Sequence, residues 1–142
     1  MKADKTMIKS DAQRDRTLAQ IEGFRQALAQ AEKETVSKAS ESIRQSYASM
    51  IRQLQDELSE YHDLKSGELD LPQVSRLEQI AQFIAKIRIA KGVSQTELAR
   101  RLGLSKQAIS RYEENEYQTV GVARLQEILD AIGITIAITL SE

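Results

Sequence analysis

The sequence of 142 residues predicts a mainly α-helical protein: a small helical bundle ending in a β-strand, preceded by a long helical region. Three observations carry this expectation. Apolar residues recur every three or four positions along most of the chain, as on one face of a helix. Proline occurs once, at Pro72, and the glycines at 67, 92, 103 and 133 fall where helices would stop. The last stretch, Ile134-Thr135-Ile136-Ala137-Ile138-Thr139-Leu140, instead alternates large aliphatic and small residues with a period of two.

Composition narrows the function classes. Hydrophobic residues make up 41% and charged residues 29%, the balance of a soluble, helix-rich chain. There is no cysteine, which removes disulfides, thiolate metal sites and thiol catalysis. His62 is the single histidine, so a multi-histidine metal site within one chain is excluded. No metal and no cofactor is expected. No apolar run reaches the roughly 20 residues of a membrane span, and the start, MKADKTMIKSDAQRDR, has no apolar stretch of secretory type. A cytoplasmic protein without membrane contact is the expectation.

Residues 1–70 read as a helical interaction or dimerisation arm. Leu18, Ile21, Phe24 or Arg25, and Leu28 keep helical spacing, and Val36, Ala39, Ile43, Tyr47, Met50, Leu54, Leu58 and Tyr61 continue it. The pattern fits one long helix, or two joined near Glu34-Thr35-Val36-Ser37. Its apolar stripe is narrow, as in a coiled-coil seam or a helical hairpin, and needs a partner helix to cover it. Gly67 is the first clear stop, with Pro72 just beyond.

Residues 71–142 read as a second domain. Ser75-x-x-Glu78 suggests a capping box opening a helix with Leu77, Ile80, Ile84 and Ile87 inward, closed by Gly92. Ser94-x-x-Glu97 suggests another, ahead of Leu98, Ala99 and Leu102. Ser105 caps a third helix carrying Ala108, Ile109 and Tyr112, and Asn115 is expected to end it in the left-handed conformation. A fourth helix runs from about Val122 to Ile132, with Gly133 as its stop. The closing strand has Ile134, Ile136, Ile138 and Leu140 on one face. A lone strand leaves its ladder groups unpaired, so these four residues are the expected dimerisation surface.

The informative segment is SQTELARRLGLSKQAISRYEEN, residues 94–115. Two short helices flank a turn at Gly103. A small residue, Ala99, stands where two helices would cross closely, and Ile109 and Tyr112 return the second helix onto the first. That is the spacing of a helix-turn-helix, whose second helix enters the DNA major groove.

Residues 77–133 resemble the Xre family of helix-turn-helix regulators, which includes phage Cro and lambda-type repressors. IAKIRIAKGVSQTELARRLGLSKQAISRYEEN and LQEILDAIG carry the likeness. The resemblance implies a compact lambda-repressor-like bundle that binds operator DNA as a dimer. By position, it places Lys106, Gln107 and Arg111 against base edges, with Ser110 also reaching the groove. Gln95 matches a position that contacts a phosphate and braces the recognition helix. The sequence departs from the family in two places. The loop Glu114-Asn115-Glu116-Tyr117 is acidic where relatives often contact phosphate, and Thr119-Val120 replaces a frequent proline.

Charge points the same way. The net charge is −1, yet Lys86, Arg88, Lys91, Arg100, Arg101, Lys106 and Arg111 stand against one acid, Glu97, between residues 86 and 111. A local basic stripe on a near-neutral chain suits a polyanion. Arg100 and Arg101 are expected on a solvated or phosphate-facing surface rather than at bases, and the starts of the second helix and of the third, at Ser105, offer amides to phosphate.

The expected function is a sequence-specific, DNA-binding transcriptional repressor that acts as a homodimer on a near-palindromic operator and is not an enzyme. A helical extension before an Xre-type domain is similar to regulators encoded beside a toxin or a metallopeptidase. A narrower expectation is therefore an antitoxin that represses its own operon, with a toxin or other protein bound by the N-terminal helices. The alternative is a protein-interaction module without specific DNA readout.

Overall fold

The computed structural model describes residues 7–33, 38–71 and 73–142, with the backbone alone at 38 and 39. It contains six helices among the described residues: α1 (Asp11–Glu32), α2 (Lys38–Lys65), α3 (Leu77–Ala90), α4 (Gln95–Leu102), α5 (Lys106–Glu114) and α6 (Val122–Ile132). The chain divides into two compact units between Asp63 and Leu64.

The first unit is a helical hairpin. Ser10 caps α1, its Oγ accepting from the Gln13 amide at 3.2 Å. The two helices run antiparallel. Near the open end the Tyr61 hydroxyl donates to Asp11 Oδ1 at 2.6 Å, and further along the Phe24 and Tyr47 rings lie 6.0 Å apart. Thr17, Ile21, Ile51 and Tyr61 are buried. The expected stripe is only partly covered, because two helices bury one seam and leave its flanks open. Tyr47, Leu54 and Leu58 are half-buried, while Leu18, Ile43 and Met50 are exposed. The expected joint at residues 34–37, like Pro72, lies outside the described residues.

The second unit is the bundle of α3 to α6. α4 packs on α5 and α6, and α3 on α6. Ile84, Leu98, Ile109 and Ile128, one from each helix, are wholly buried at its centre, surrounded by Ile87, Val93, Ala99, Leu129 and Ile132. The aliphatic periodicity therefore gives an aliphatic core.

Several local expectations change. α3 begins at Leu77, after Arg76, and the side chain that caps it is Gln79, whose Oε1 accepts from the Ser75 and Arg76 amides at 3.0 Å each. Glu78 pairs with Arg76 instead, at 2.6 Å. Leu77, in the first turn, is exposed and not inward. Ser94 does cap α4, accepting from the Glu97 amide at 3.0 Å, but the Glu97 carboxylate turns to arginines rather than back to the cap. Asn115 is not left-handed (φ −96°). The positive φ falls on Glu116 (52°) and Tyr117 (56°).

These values follow from how the helices end. In α4, the Leu104 amide reaches the Ala99 carbonyl at 2.8 Å and the Gly103 amide the Arg100 carbonyl at 3.3 Å. That is the Schellman closure, which needs a left-handed residue at Gly103 (φ 68°). The same pair of bonds closes α5, from Tyr117 to Tyr112 at 2.7 Å and from Glu116 to Glu113 at 3.1 Å. Glu116 therefore occupies the position that glycine fills in α4.

The expected C-terminal strand is not formed: no strand is present among the described residues. A strand exists through its ladder, and in a single chain this segment has no neighbour to pair with. The alternation survives in part. Ile134 and Ile136 pack on the bundle core, Thr135 and Ala137 are exposed, and Ile138 and Leu140 stand 61% and 93% exposed.

Candidate nucleic-acid interface

α5 is a helix with two functional faces. At about 100° per residue, Gln107 and Arg111 fall some 160° to either side of Ile109. Ile109 is buried, and Gln107 and Arg111 are exposed. Ser105 starts the helix, its Oγ accepting from the Ala108 amide at 3.1 Å. The cap leaves the Ser105 hydroxyl hydrogen available to a ligand at the helix N-terminus. Lys106 is exposed beside it and Ser110 is half-buried. The side chains of Lys106, Gln107 and Arg111 have no intramolecular partner among the described residues.

The inner face of α5 is held by a buried ionic network. Arg88 of α3 donates from Nε to Glu113 Oε2 at 2.8 Å and from Nη2 to Oε1 at 2.7 Å. Its Nη1 donates to the Val93 carbonyl at 2.8 Å. Gln95 Nε2 donates to Glu113 Oε1, and the Tyr117 hydroxyl to Oε2, both at 2.8 Å. The carboxylate accepts four hydrogen bonds, which offsets the cost of burying its charge. Burial pushes the Tyr117 phenol far above its ordinary range, and the adjacent Glu113 charge adds to the shift, so the hydroxyl keeps its proton and donates.

From sequence, Arg88 counts with the basic stripe, and Gln95 and Tyr117 are not read as partners of Glu113. A signal was present. Arg88 lies four residues after Ile84, and Glu113 four after Ile109, so both fall on inward stripes where a charge has to find a partner. Gln95, expected at the DNA, is buried with its amide committed to Glu113. Its observed place is that of a brace between α4 and α5.

The basic stripe also divides. Arg88 is buried and neutralised, so it adds nothing to the surface potential. Arg100 grips Glu97 with two bonds, Nε to Oε2 at 2.9 Å and Nη2 to Oε1 at 2.6 Å. Arg101 donates from Nε to Glu97 Oε1 at 3.0 Å and from Nη1 to the Ala131 carbonyl at 2.7 Å, near the end of α6. Arg101 thus ties α4 to α6, which sequence spacing alone could not show. These hydrogen bonds from Arg100 and then Arg101 hold the Glu97 carboxyl at about 2, below its ordinary 4.5.

Residues 84–138 match the helix-turn-helix family model. The match covers 55 of the 142 residues, and over them the chain is similar to helix-turn-helix domains. The chain has no significant match among curated proteins or solved structures. The matched segment runs from the middle of α3 through α6 to Ile138. Within it α4 and α5 are the helix pair, Gly103 is the turn, and α5 is the second helix. No helix of the described residues is long and apolar enough to cross a membrane. Among the described residues no group of three or more His, Cys, Asp or Glu side chains is placed to hold a metal ion.

Proposed function

We propose that the protein is a sequence-specific transcriptional repressor that binds a near-palindromic operator as a homodimer. The observation that carries this reading is the uncommitted outer face of α5. Lys106, Gln107 and Arg111 are exposed and without internal partners on a helix whose inner face is locked. Gln107 suits bidentate pairing with adenine, and Arg111 or Lys106 suits guanine O6 and N7. Ser110 lies beside them. Ser105 and the first amides of α4 and α5 suit phosphate oxygens, and Arg100, with its side chain 71% exposed, adds sequence-independent attraction. Gln95 acts indirectly, by holding α5 through Glu113. Ile134, Ile136, Ile138 and Leu140 supply the dimer contact.

The N-terminal hairpin is the partner-binding arm in this reading. Leu18, Ile43 and Met50 are large apolar side chains exposed on a two-helix unit, and a docked protein would cover them. In the narrower form of the proposal that protein is a toxin, and the chain is an antitoxin that represses its own operon. The same three residues favour the second reading, a protein-interaction module without specific DNA readout.

Selection of bound duplexes from a randomised pool, with the full-length chain at physiological salt, separates the two. Enrichment of a near-palindrome with half-sites about one helical turn apart supports the repressor. Retention of all sequences equally, or of none, overturns it in favour of the interaction module.

A further inference from the structure

The C-terminal segment has an order that a dimer contact alone does not require. Residues 134–140 read Ile-Thr-Ile-Ala-Ile-Thr-Leu, nearly the same in both directions about Ala137. We propose that this segment pairs antiparallel with its own copy in a second chain, with Ala137 on the twofold axis. The proposal rests on the homodimer reading and fixes its register.

The backbone asks for such a partner. The Ile134 amide bonds the Leu129 carbonyl at 3.0 Å, closing α6. Beyond it, among the described residues, no backbone hydrogen bond is made by residues 135–142. The root of the segment is nevertheless anchored: Gly133 (φ 85°) completes the closure, and Arg101 holds the Ala131 carbonyl. Both Ile134 and Ile136 rest on the core. The segment leaves the bundle as a fixed edge with its donors and acceptors unspent.

Side chains select the second copy and the register. Directly opposed residues of an antiparallel pair share a face, so only registers that set an even-numbered residue against an even-numbered one keep all the aliphatics together. With Ala137 on the axis, Ile134 opposes Leu140 of the second copy and Ile136 opposes its Ile138. Thr135 opposes its Thr139, a favourable cross-strand pair. The smallest side chain of the run meets itself at the axis. Exposure fits this order. Ile138 and Leu140 are the exposed members, 61% and 93%, and each would lie beside a residue seated on the other chain's bundle. Every copy thereby covers what its partner leaves bare. A different protein's strand would satisfy the same backbone groups, but it would make no use of the internal symmetry.

The chain has no native cysteine, so the register can be read directly. Full-length Ala137→Cys, Thr135→Cys and Thr139→Cys variants are treated with oxidised glutathione and run on non-reducing gels, with sedimentation before oxidation. All three positions are exposed, so the substitutions spare the core. The expected result is a dimer in which Ala137→Cys alone cross-links to itself. Thr135→Cys and Thr139→Cys alone stay uncross-linked, because each would face its own copy about 13 Å away, beyond disulfide reach. Mixing those two variants restores a cross-linked dimer. A dimer with another cross-linking pattern overturns the register and leaves the dimeric repressor standing. A monomer that cross-links nowhere overturns both, and the edge then belongs to another protein.

Discussion

Arg88 and Glu113 form a two-pronged ion pair, 2.7 and 2.8 Å long, with side chains 2% and 0% exposed. The pair joins α3 to α5, the second helix of the helix-turn-helix, and Gln95 and Tyr117 also donate to the carboxylate. Removing one partner takes the two charged hydrogen bonds away from a charge that stays buried. Arg88→Met is therefore expected to cost about 3–5 kcal/mol of stability. Tyr117→Phe removes a single hydrogen bond to the charged acceptor and should cost about 1.5–3 kcal/mol. Urea unfolding of the full-length variants measures both. Equal losses would mean that the charge is not what makes Arg88 costly to remove.

The recognition face and the surface arginines should separate in binding experiments. Gln107→Ala or Arg111→Ala is expected to cost about 1–3 kcal/mol on the selected operator and to relax discrimination. Arg100→Ala should weaken all duplexes alike and flatten the salt dependence. The effect of Arg100 should be muted by its existing grip on Glu97. Fluorescence anisotropy against operator and scrambled duplexes at several salt concentrations reads both quantities. Intact selectivity in the Gln107 and Arg111 variants would take base readout away from α5.

Much of the bundle was legible because its signals are local. Serines at 94 and 105 cap α4 and α5, the glycines at 92, 103 and 133 end helices as expected, each at a positive φ, and inward aliphatics at 84, 98, 109 and 128 are all buried. The site was legible as a face but not as a network. Gln95 sits at a helix start, where sequence suggests exposure, yet the third dimension supplies Glu113 as its partner. Arg101 likewise finds a carbonyl thirty residues away. The strand was misjudged for a different reason. Period two records which side chains face inward, and the ladder depends on a neighbour that one chain does not contain.

Glu97 should report on its arginines through pH. Its carboxyl is held at about 2 against an ordinary 4.5, first by the hydrogen bond from Arg100 and then by that from Arg101. A depressed folded value means that the charged form stabilises the fold. That contribution is complete above the ordinary value and is lost as pH falls from about 4.5 towards about 2. Thermal melts of the wild type and Glu97→Gln across this range test it. The gap between them should be constant above the window and close within it. A gap that does not change with pH would mean that Glu97 acts through its shape alone.

The last expectation concerns the turn after α5. Glu116 stands at φ 52° in a closure that α4 completes with Gly103 at φ 68°. A left-handed conformation costs a residue with a Cβ roughly 1–2 kcal/mol. Glycine escapes that cost but gives up part of the gain, because it loses more backbone freedom on folding, roughly 0.5–1 kcal/mol. Glu116→Gly should therefore raise stability by roughly 0.5–1 kcal/mol. It also removes one of the two exposed acids that flank Asn115, Glu114 and Glu116, at the end of α5. Affinity for all duplexes should then rise at low salt, with operator selectivity unchanged, since no base-facing side chain is altered. Glu116→Gln separates the two effects: it keeps the backbone strain and removes the charge, so it should raise affinity without raising stability. If Glu116→Gly leaves stability unchanged or lowers it, the turn is not strained at this position, and the left-handed pair at Glu116 and Tyr117 is held at no cost.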